Sequence, residues 1–563
     1  MSQRFGSITA ALTGQSTFTL IVSAALALVA SYLILRRFRR AVVKSMQRRS
    51  RNELFEPKGY LPPDPEHKPN DAPLSFNFIT RDAADTSKRA ALLYQTLAQR
   101  RWRAALIHII AGGCFAAAMT AAFLSAGKMD FAPFRFVYLT WANAWPAVLA
   151  VDLAVGLSRR GRLIGAAGYF LLGAIIGVVV MVKSPGLTTV QLLYLWLNGN
   201  LLATLLLFIF LNRSIRAIGP LMLVLMILAV TGANLIVTLT GNNPKLLKAI
   251  SHFALSIRLG PVSTLVALQV IGFVAFAIAG WLGIGALSRL YETKNVSEQS
   301  ITIDAVWLLF GIVNSLDLVV HGPLWILSGF VAFVFYKVVD VGLLRTFRID
   351  RRAKAGGRRL LFLRVFALGK RRETLYDTLG KSWRTVGSIQ MIAGPDLAAS
   401  AVEPHEFLDF VSGNFARRFI DSARTLDLRI DHMDLAPDND GQFRVTEFFC
   451  HNDTWKITLA RLADDSDAVL MDLRGLSPAN SSCVFEIREL FNTVALPRIV
   501  FAVDDTTDQA FMRQTMQPAW VEMKQRSPNR RSLAGQVSLV DLTGSSAASL
   551  HNLLYGLCAA ATR

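Results

Sequence analysis

Cysteine is scarce. The 563 residues hold four, Cys114, Cys450, Cys483 and Cys558. None forms a CxxC pair and no histidine lies at zinc-ligand spacing, which argues against a structural zinc module or a disulfide framework, and no metal site is expected. Free thiols in a reducing compartment are the simplest reading. Phosphate-binding fingerprints are missing as well. No GxGxxG follows an apolar run. LGKSW (379–383) ends like a P-loop, but Leu375 stands where the leading glycine belongs and the stretch reads as mid-helix. No GxSxG elbow exists.

Acidic residues are scarce over the first 359 positions. From Leu360 onward there are 22 Lys and Arg against 25 Asp and Glu, a net charge of −3, which leaves 38 of the 60 basic and 15 of the 40 acidic residues before it, a net of +23. The chain total of +20 therefore arises wholly in the apolar part. That distribution argues against nucleic acid as a partner. It suits basic residues that flank membrane spans and face anionic lipid headgroups.

Long apolar runs are abundant. Hydrophobic residues make up 52% and mean hydropathy is +0.39. Nine runs are long enough to span a bilayer: 17–35, 105–126, 136–157, 163–182, 190–211, 217–239, 262–287, 303–320 and 324–344. RRFRR (36–40) follows the first, so the N-terminus is expected outside and the first run reads as a signal anchor, residues 1–35. Residues 36–103 are a basic and proline-rich linker that turns helix-like, with EPKGYLPPDPEHKPNDAP (56–73) extended and irregular. SRRGR (158–162), NRSIR (212–216), SRLYETK (288–294) and the juxtamembrane 345–359 are basic and fall on the cytoplasmic side of an odd count. Residues 104–344 thus form a membrane bundle, with the C-terminus inside. NPKLLKAISHFALSIR (243–258) places Leu246, Ile250, Phe253 and Ile257 at helical spacing. It reads as an amphipathic helix in the outer interface.

Ionisable groups within the spans are functional candidates. These are Asp152, Asp317, Lys337 and Asp340, joined by the polar Asn198, Asn200, Asn234 and Asn314. Lys337 and Asp340 stand three apart on one helix face, close enough to pair.

From 360 to 563 the pattern changes. LLFLRVF (360–366), SIQMIAG (388–394), AVLMDL (468–473), RIVFAV (498–503) and QVSLVDL (536–542) alternate with helix-like stretches. Five βα units predict a five-stranded, parallel, doubly wound sheet of flavodoxin-like type. Residues 426–450 are an insertion expected to form a hairpin, and Asp453 is expected to cap the helix 453–465, with Trp455 in the core. Ligands of such sheets sit at the carboxyl ends of the strands, which makes 360–369, 394–396, 472–482 and 504–507 the candidate rim.

The order LLFLRVF, GSIQMIAGPD, HNDTWKITLARLADDSDAVLMDLRG and CVFEIREL resembles bacterial TIR-like domains found on membrane-anchored proteins, over roughly 360–505. The resemblance implies a TIR-like fold, clustering of the cytosolic domains, and NAD or a related nucleotide as ligand or substrate. It also implies cleavage of the nicotinamide–ribose bond. Cys483-x-x-Glu486 matches the family's C-x-x-E, so Glu486 is the implied catalytic carboxylate; the tryptophan common before that motif is Ser482 here. Arg364, Phe366, Gly394, Pro395, Trp455 and Ser482 line the implied ligand cleft. A carboxylate near oxocarbenium charge is sensible chemistry. A structural reading stands beside it: Ser481 or Ser482 caps the helix and Glu486 in its first turn complements the dipole.

The sequence thus describes a multi-pass inner-membrane protein with a cytosolic TIR-like signalling or effector domain. The alternatives are a transporter or channel with a regulatory domain, and an inactive scaffold.

Overall fold

The computed structural model describes residues 2–47, 70–79, 88–157, 159–184, 186–212, 215, 218–347, 357–364, 375, 379–380, 382–393, 418–433, 435–451, 453–532, 534–543 and 547–563. Their contacts separate two units. One holds 2–39 and 105–346; the other holds 40–47, 70–79, 88–104 and the described residues from 347 on.

The first unit is helical: α1 (Ser2–Met46), α2 (Lys88–Ala126), α3 (Pro133–Asn143), α4 (Trp145–Val155), α5 (Arg159–Lys183), α6 (Thr189–Phe210), α7 (Gly219–Gly241), α8 (Pro244–Ser256), α9 (Pro261–Glu292), α10 (Glu298–Leu318) and α11 (Ser328–Thr346). Among the described residues nine helical segments are long and apolar enough to cross a membrane, with α3 and α4 counted as one, and they fall on the nine apolar runs. Their outward faces carry leucine, isoleucine and valine, as a lipid-facing surface needs. Helix α8 starts at an Asn243 cap, whose Oδ1 accepts from the N–H groups of Lys245 and Leu246. It leaves Leu246, Leu247, Phe253 and Leu255 exposed.

The third run is expected as one span but is broken at Ala144. Proline explains the break: Pro146 has no N–H to give to the carbonyl of Ala142, four residues back. That carbonyl takes a hydrogen bond from Asn200 Nδ2 instead, at 3.0 Å. In an apolar medium a freed carbonyl must find such a donor. Asn200 is thereby accounted for as the partner of a kink.

Helices α10 and α11 meet through glycine. A Cβ on Gly329 would lie 2.1 Å from the Gly311 carbonyl oxygen and 2.5 Å from Ser315 Oγ. Ser315 Oγ donates to the Gly311 carbonyl and accepts from the Gly329 N–H, both at 2.7 Å. Gly329→Leu is expected to destabilise the bundle by about 1–3 kcal/mol or more through overpacking. Gly342→Leu, where a Cβ meets nothing within 4 Å, is expected to be tolerated. Thermal unfolding of the two full-length variants in detergent checks the contrast.

Among the described residues the second unit carries one all-parallel sheet of eight strands, not five: β1 (Leu74–Phe78), β2 (Arg358–Arg364), β3 (Gly387–Ala393), β4 (Phe419–Ile420), β5 (Val445–Cys450), β6 (Ala468–Asp472), β7 (Ile499–Val503) and β8 (Gly535–Asp541), in the order β1-β8-β7-β6-β2-β3-β5-β4. The five expected strands are all present as β2, β3, β6, β7 and β8. Counted by first appearance they lie in the order 2-1-3-4-5, so winding reverses between β2 and β6. Three further strands, β1 at one side and β5 and β4 at the other, extend the edges. Among its described residues the insertion forms no hairpin: helix α12 (Ala423–Asp431) precedes β5, which pairs in parallel with β3 and β4. Strand β1 comes from the segment before α2 and covers the β8 edge, where Asn70 N–H bonds Val521 O and Trp520 Nε1 bonds Ala72 O at 2.7 Å. A covered edge is protected from pairing with other chains. Leu74, Phe76 and Phe78 alternate with polar Ser75 and Asn77, the period-two pattern of a half-buried strand, which the reading of 36–103 as linker and helix does not include.

Helices α13 (Trp455–Asp465), α14 (Ser481–Thr493) and α15 (Gln509–Val521) pack on one face, against Leu361, Leu363, Val469, Met471, Phe501 and Leu539. Helix α16 (Ala547–Ala560) packs along β6, β7 and β8. Its buried Leu553, Leu554 and Leu557 stand outside that cluster, with the alternate strand residues Leu470, Val500 and Val540, so both faces are covered. Each such fully buried leucine or phenylalanine contributes about 1.5–3 kcal/mol.

Candidate functional site

Ligands of doubly wound sheets bind beyond the carboxyl ends of the strands, at the point where winding reverses. Arg364 is the last residue of β2 and stands in register with Asp472, the last of β6. Both are buried. Asp472 takes a two-pronged ion pair from Arg474, with Arg474 Nε to Oδ1 at 2.8 Å and Nη2 to Oδ2 at 2.7 Å. The chain then turns through Gly475, whose φ of 71° is left-handed and suits glycine. The loop is tied to the one after β7. Thr507 Oγ1 donates to the Leu473 carbonyl at 3.1 Å, and Asp504 Oδ1 accepts from Thr506 N–H at 2.9 Å. Asp508 Oδ1 caps α15 by accepting from Phe511 N–H. The rim is therefore rigid where β6 and β7 end.

Glu486 lies on α14 beside this rim. Helix α14 buries Cys483, Ile487, Leu490 and Phe491, spaced for one face, and Glu486 falls inside that stripe. Its side chain is 4% exposed and Oε2 has no hydrogen-bond partner among the described residues. Burial pushes its carboxyl up to about 8, and the Arg364 guanidinium draws it part of the way back. Burial and then the Glu486 charge push the Cys483 thiol up to about 12, which keeps it protonated and unreactive.

The structural reading of Glu486 is corrected here. The helix starts at Ser481, so Glu486 is its sixth residue, and the first turn holds no acidic side chain. A charge in the second turn gains little from the helix dipole. Ser481 and Ser482 lie inside the helix rather than before it. The capping position belongs to Asn480, which makes no side-chain cap; its Oδ1 accepts from Ser477 instead. The same shift applies at α13, where the capping position is Thr454 and not Asp453. Trp455 is half-buried and packs edge-on against Phe485, with ring centroids 5.4 Å apart. Phe366, Gly394 and Pro395 lie outside the described residues.

The polar groups of the membrane-length helices divide into several local arrangements. Asp152 closes the end of α4: its carbonyl accepts from Gly156 N–H, its Oδ1 from Leu157 N–H at 3.2 Å, and Arg162 stands 3.8 Å away. Asp317 Oδ2 accepts from Asn198 Nδ2 at 3.1 Å. Asn234 Nδ2 donates to Thr19 Oγ1, and Asn314 Nδ2 to the Phe310 carbonyl of its own helix. Lys337 does approach Asp340, at 3.5 Å, but its nearer partner is Asp304, at 2.8 Å. Sequence reasoning passed over Asp304, which lies near the start of its span. Its signal was Ser300, one helical turn before it on the same face.

In comparisons with known proteins, no family model, no curated protein and no solved structure matches this chain.

Proposed function

We propose that this chain is a membrane-embedded protein whose C-terminal α/β domain, flavodoxin- and TIR-like in its winding, binds NAD or a related nucleotide at the β2–β6 reversal. Glu486 is the group that acts on the ligand. The observation that carries this reading is a buried carboxyl oxygen with no hydrogen-bond partner among the described residues, at the strand ends where such folds bind ligands. A buried unsatisfied group costs stability, and functional sites are where such costs are retained. The membrane helices anchor the domain and set its local density.

The chemistry follows from the charges. Cleavage of a nicotinamide–ribose bond builds oxocarbenium character on the sugar, and a carboxylate held against it in a dry site lowers that barrier. Arg364 supplies a positive charge for a ligand anion. Since the resting Glu486 carboxyl titrates near 8, the carboxylate forms as pH rises. The value of kcat/KM for NAD is therefore expected to increase through about pH 8 before levelling.

The test is NAD turnover by the purified full-length protein at high density in nanodiscs, beside Glu486→Gln. Release of nicotinamide by the wild type, lost by about 10²-fold or more in the variant, supports the reading. Turnover that survives the substitution sinks the role given to Glu486. No NAD binding and no turnover in either protein overturns the nucleotide reading in favour of a scaffold.

A further inference from the structure

A second arrangement stands at the far side of the carboxyl rim, where β4 and β5 end, and owes nothing to the nucleotide reading. His451 follows the last residue of β5 and is buried. Its ring stacks on Phe419 of β4, with centroids 5.2 Å apart. Its backbone N–H donates to Thr454 Oγ1 at 3.0 Å, which fixes the chain at this point. Both ring nitrogens face oxygen. Nε2 stands 2.7 Å from Asp421 Oδ1, just beyond β4, and Nδ1 stands 2.9 Å from the backbone carbonyl of Ser45. Ser45 lies in 40–47, which belongs to the same unit as the sheet.

Both oxygens are acceptors, the carbonyl always and the carboxylate whenever it is ionised. A neutral imidazole has one N–H, so it serves one of them and turns a lone pair toward the other. An imidazolium has two and serves both. The Ser45 carbonyl also lies in the last turn of α1, where carbonyls lack a partner within the helix and a positive charge is favoured. We propose that His451 is a proton-dependent latch: as an imidazolium it ties residues 40–47 to the β4–β5 end of the sheet through Ser45 and Asp421, and without its proton it gives up one of the two ties. The hold is complete in acid and weakens as pH rises through the range where histidine loses its proton.

Charged groups on the surrounding elements are Arg40 and Lys44 of α1, Arg418 before β4, and Asp453 and Lys456 at the start of α13. Arg429 of α12 donates to the Glu447 carbonyl and lies over the Phe448 ring. Among the described residues only Asp421 pairs with the His451 ring.

The test is hydrogen exchange on the full-length protein in nanodiscs at about pH 5.5 and about pH 7.5, either side of the histidine range, with rates divided by those of an unstructured peptide at each pH. Wild type is expected to lose protection at 43–47 and 419–421 by roughly tenfold on going to the higher pH, the worth of one charge-assisted hydrogen bond, while β7 changes much less. In His451→Gln these segments are weakly protected at both values. In Asp421→Asn they stay protected at both, because an amide donates to a neutral Nε2 while Nδ1–H keeps the Ser45 carbonyl. The proposal is overturned if wild-type protection at 43–47 is the same at the two values, or if β7 loses protection to the same extent. A pH dependence at 43–47 that survives in His451→Gln or in Asp421→Asn overturns it equally. Should His451→Gln fail to fold, wild type and Asp421→Asn decide alone.

Discussion

Asp472→Ala is expected to loosen the carboxyl end of β6 by about 3–5 kcal/mol, the cost of leaving a buried charge without its partner. Asp472 and Arg474 have side chains 1% and 6% exposed, and both Asp472 oxygens are engaged by the guanidinium. Burial opposes the Arg474 charge, while Asp472 and, further off, Asp504 favour it; the balance holds its pKa above the ordinary value. Asp504 retains part of that support after the substitution. It already accepts two hydrogen bonds from Thr506, so it is not free to swing over. Hydrogen exchange on the full-length protein measures the loss locally. Amides of β6 and of the strands beside it are expected to exchange roughly two to four orders of magnitude faster. Replacing both partners, as in Asp472→Leu with Arg474→Met, is expected to recover much of the protection, because an apolar pair needs no compensating charge. If Asp472→Ala leaves exchange unchanged, the pair does not hold the rim.

The core of the sheet was legible because each central strand is an apolar run flanked by helical periodicity. Residues Leu360–Leu363, Ala468–Met471 and Ile499–Val503 are all buried, and runs of this kind announce themselves. The place of an edge strand in the sheet does not. Strand β4 has two residues, and β1 gets its place from pairing with β8 some 460 positions away, information that no local window contains. The membrane-length helices were legible by length alone, yet the break at Ala144 followed only once Pro146 and the Asn200 amide were seen together. Glu486 was picked out by a motif and assigned to a first turn. Its position in the buried stripe with Cys483 and Ile487 was readable from spacing, and burial is what shifts its chemistry. Lys337 was assigned its neighbour in sequence, Asp340, whereas the shorter contact crosses to another helix. Partners within one element can be read from spacing; partners between elements require the packing.

Glu486→Gln is expected to change the pH dependence of stability more than stability itself at acid pH. The carboxyl is raised from its ordinary 4.5 to about 8 in the folded protein. Between those values the folded state holds a proton that the unfolded state has lost. Stability from this group is therefore fully present below about 4.5 and falls as pH rises through about 8, with a slope of at most about 1.4 kcal/mol per pH unit. Glutamine keeps the shape and cannot ionise, so the variant is expected to lose this slope and to become the more stable of the two above about pH 8, by a few kcal/mol. Thermal unfolding of both full-length proteins across that range reads the crossing. A ligand that places positive charge beside Glu486 favours the carboxylate, so saturating nucleotide is expected to flatten the wild-type curve toward that of the variant. Parallel curves without ligand mean that Glu486 binds no extra proton on folding, and the switch point then loses the observation that marks it as a site. A crossing that saturating NAD leaves unmoved keeps the buried carboxyl but removes the nucleotide from beside it.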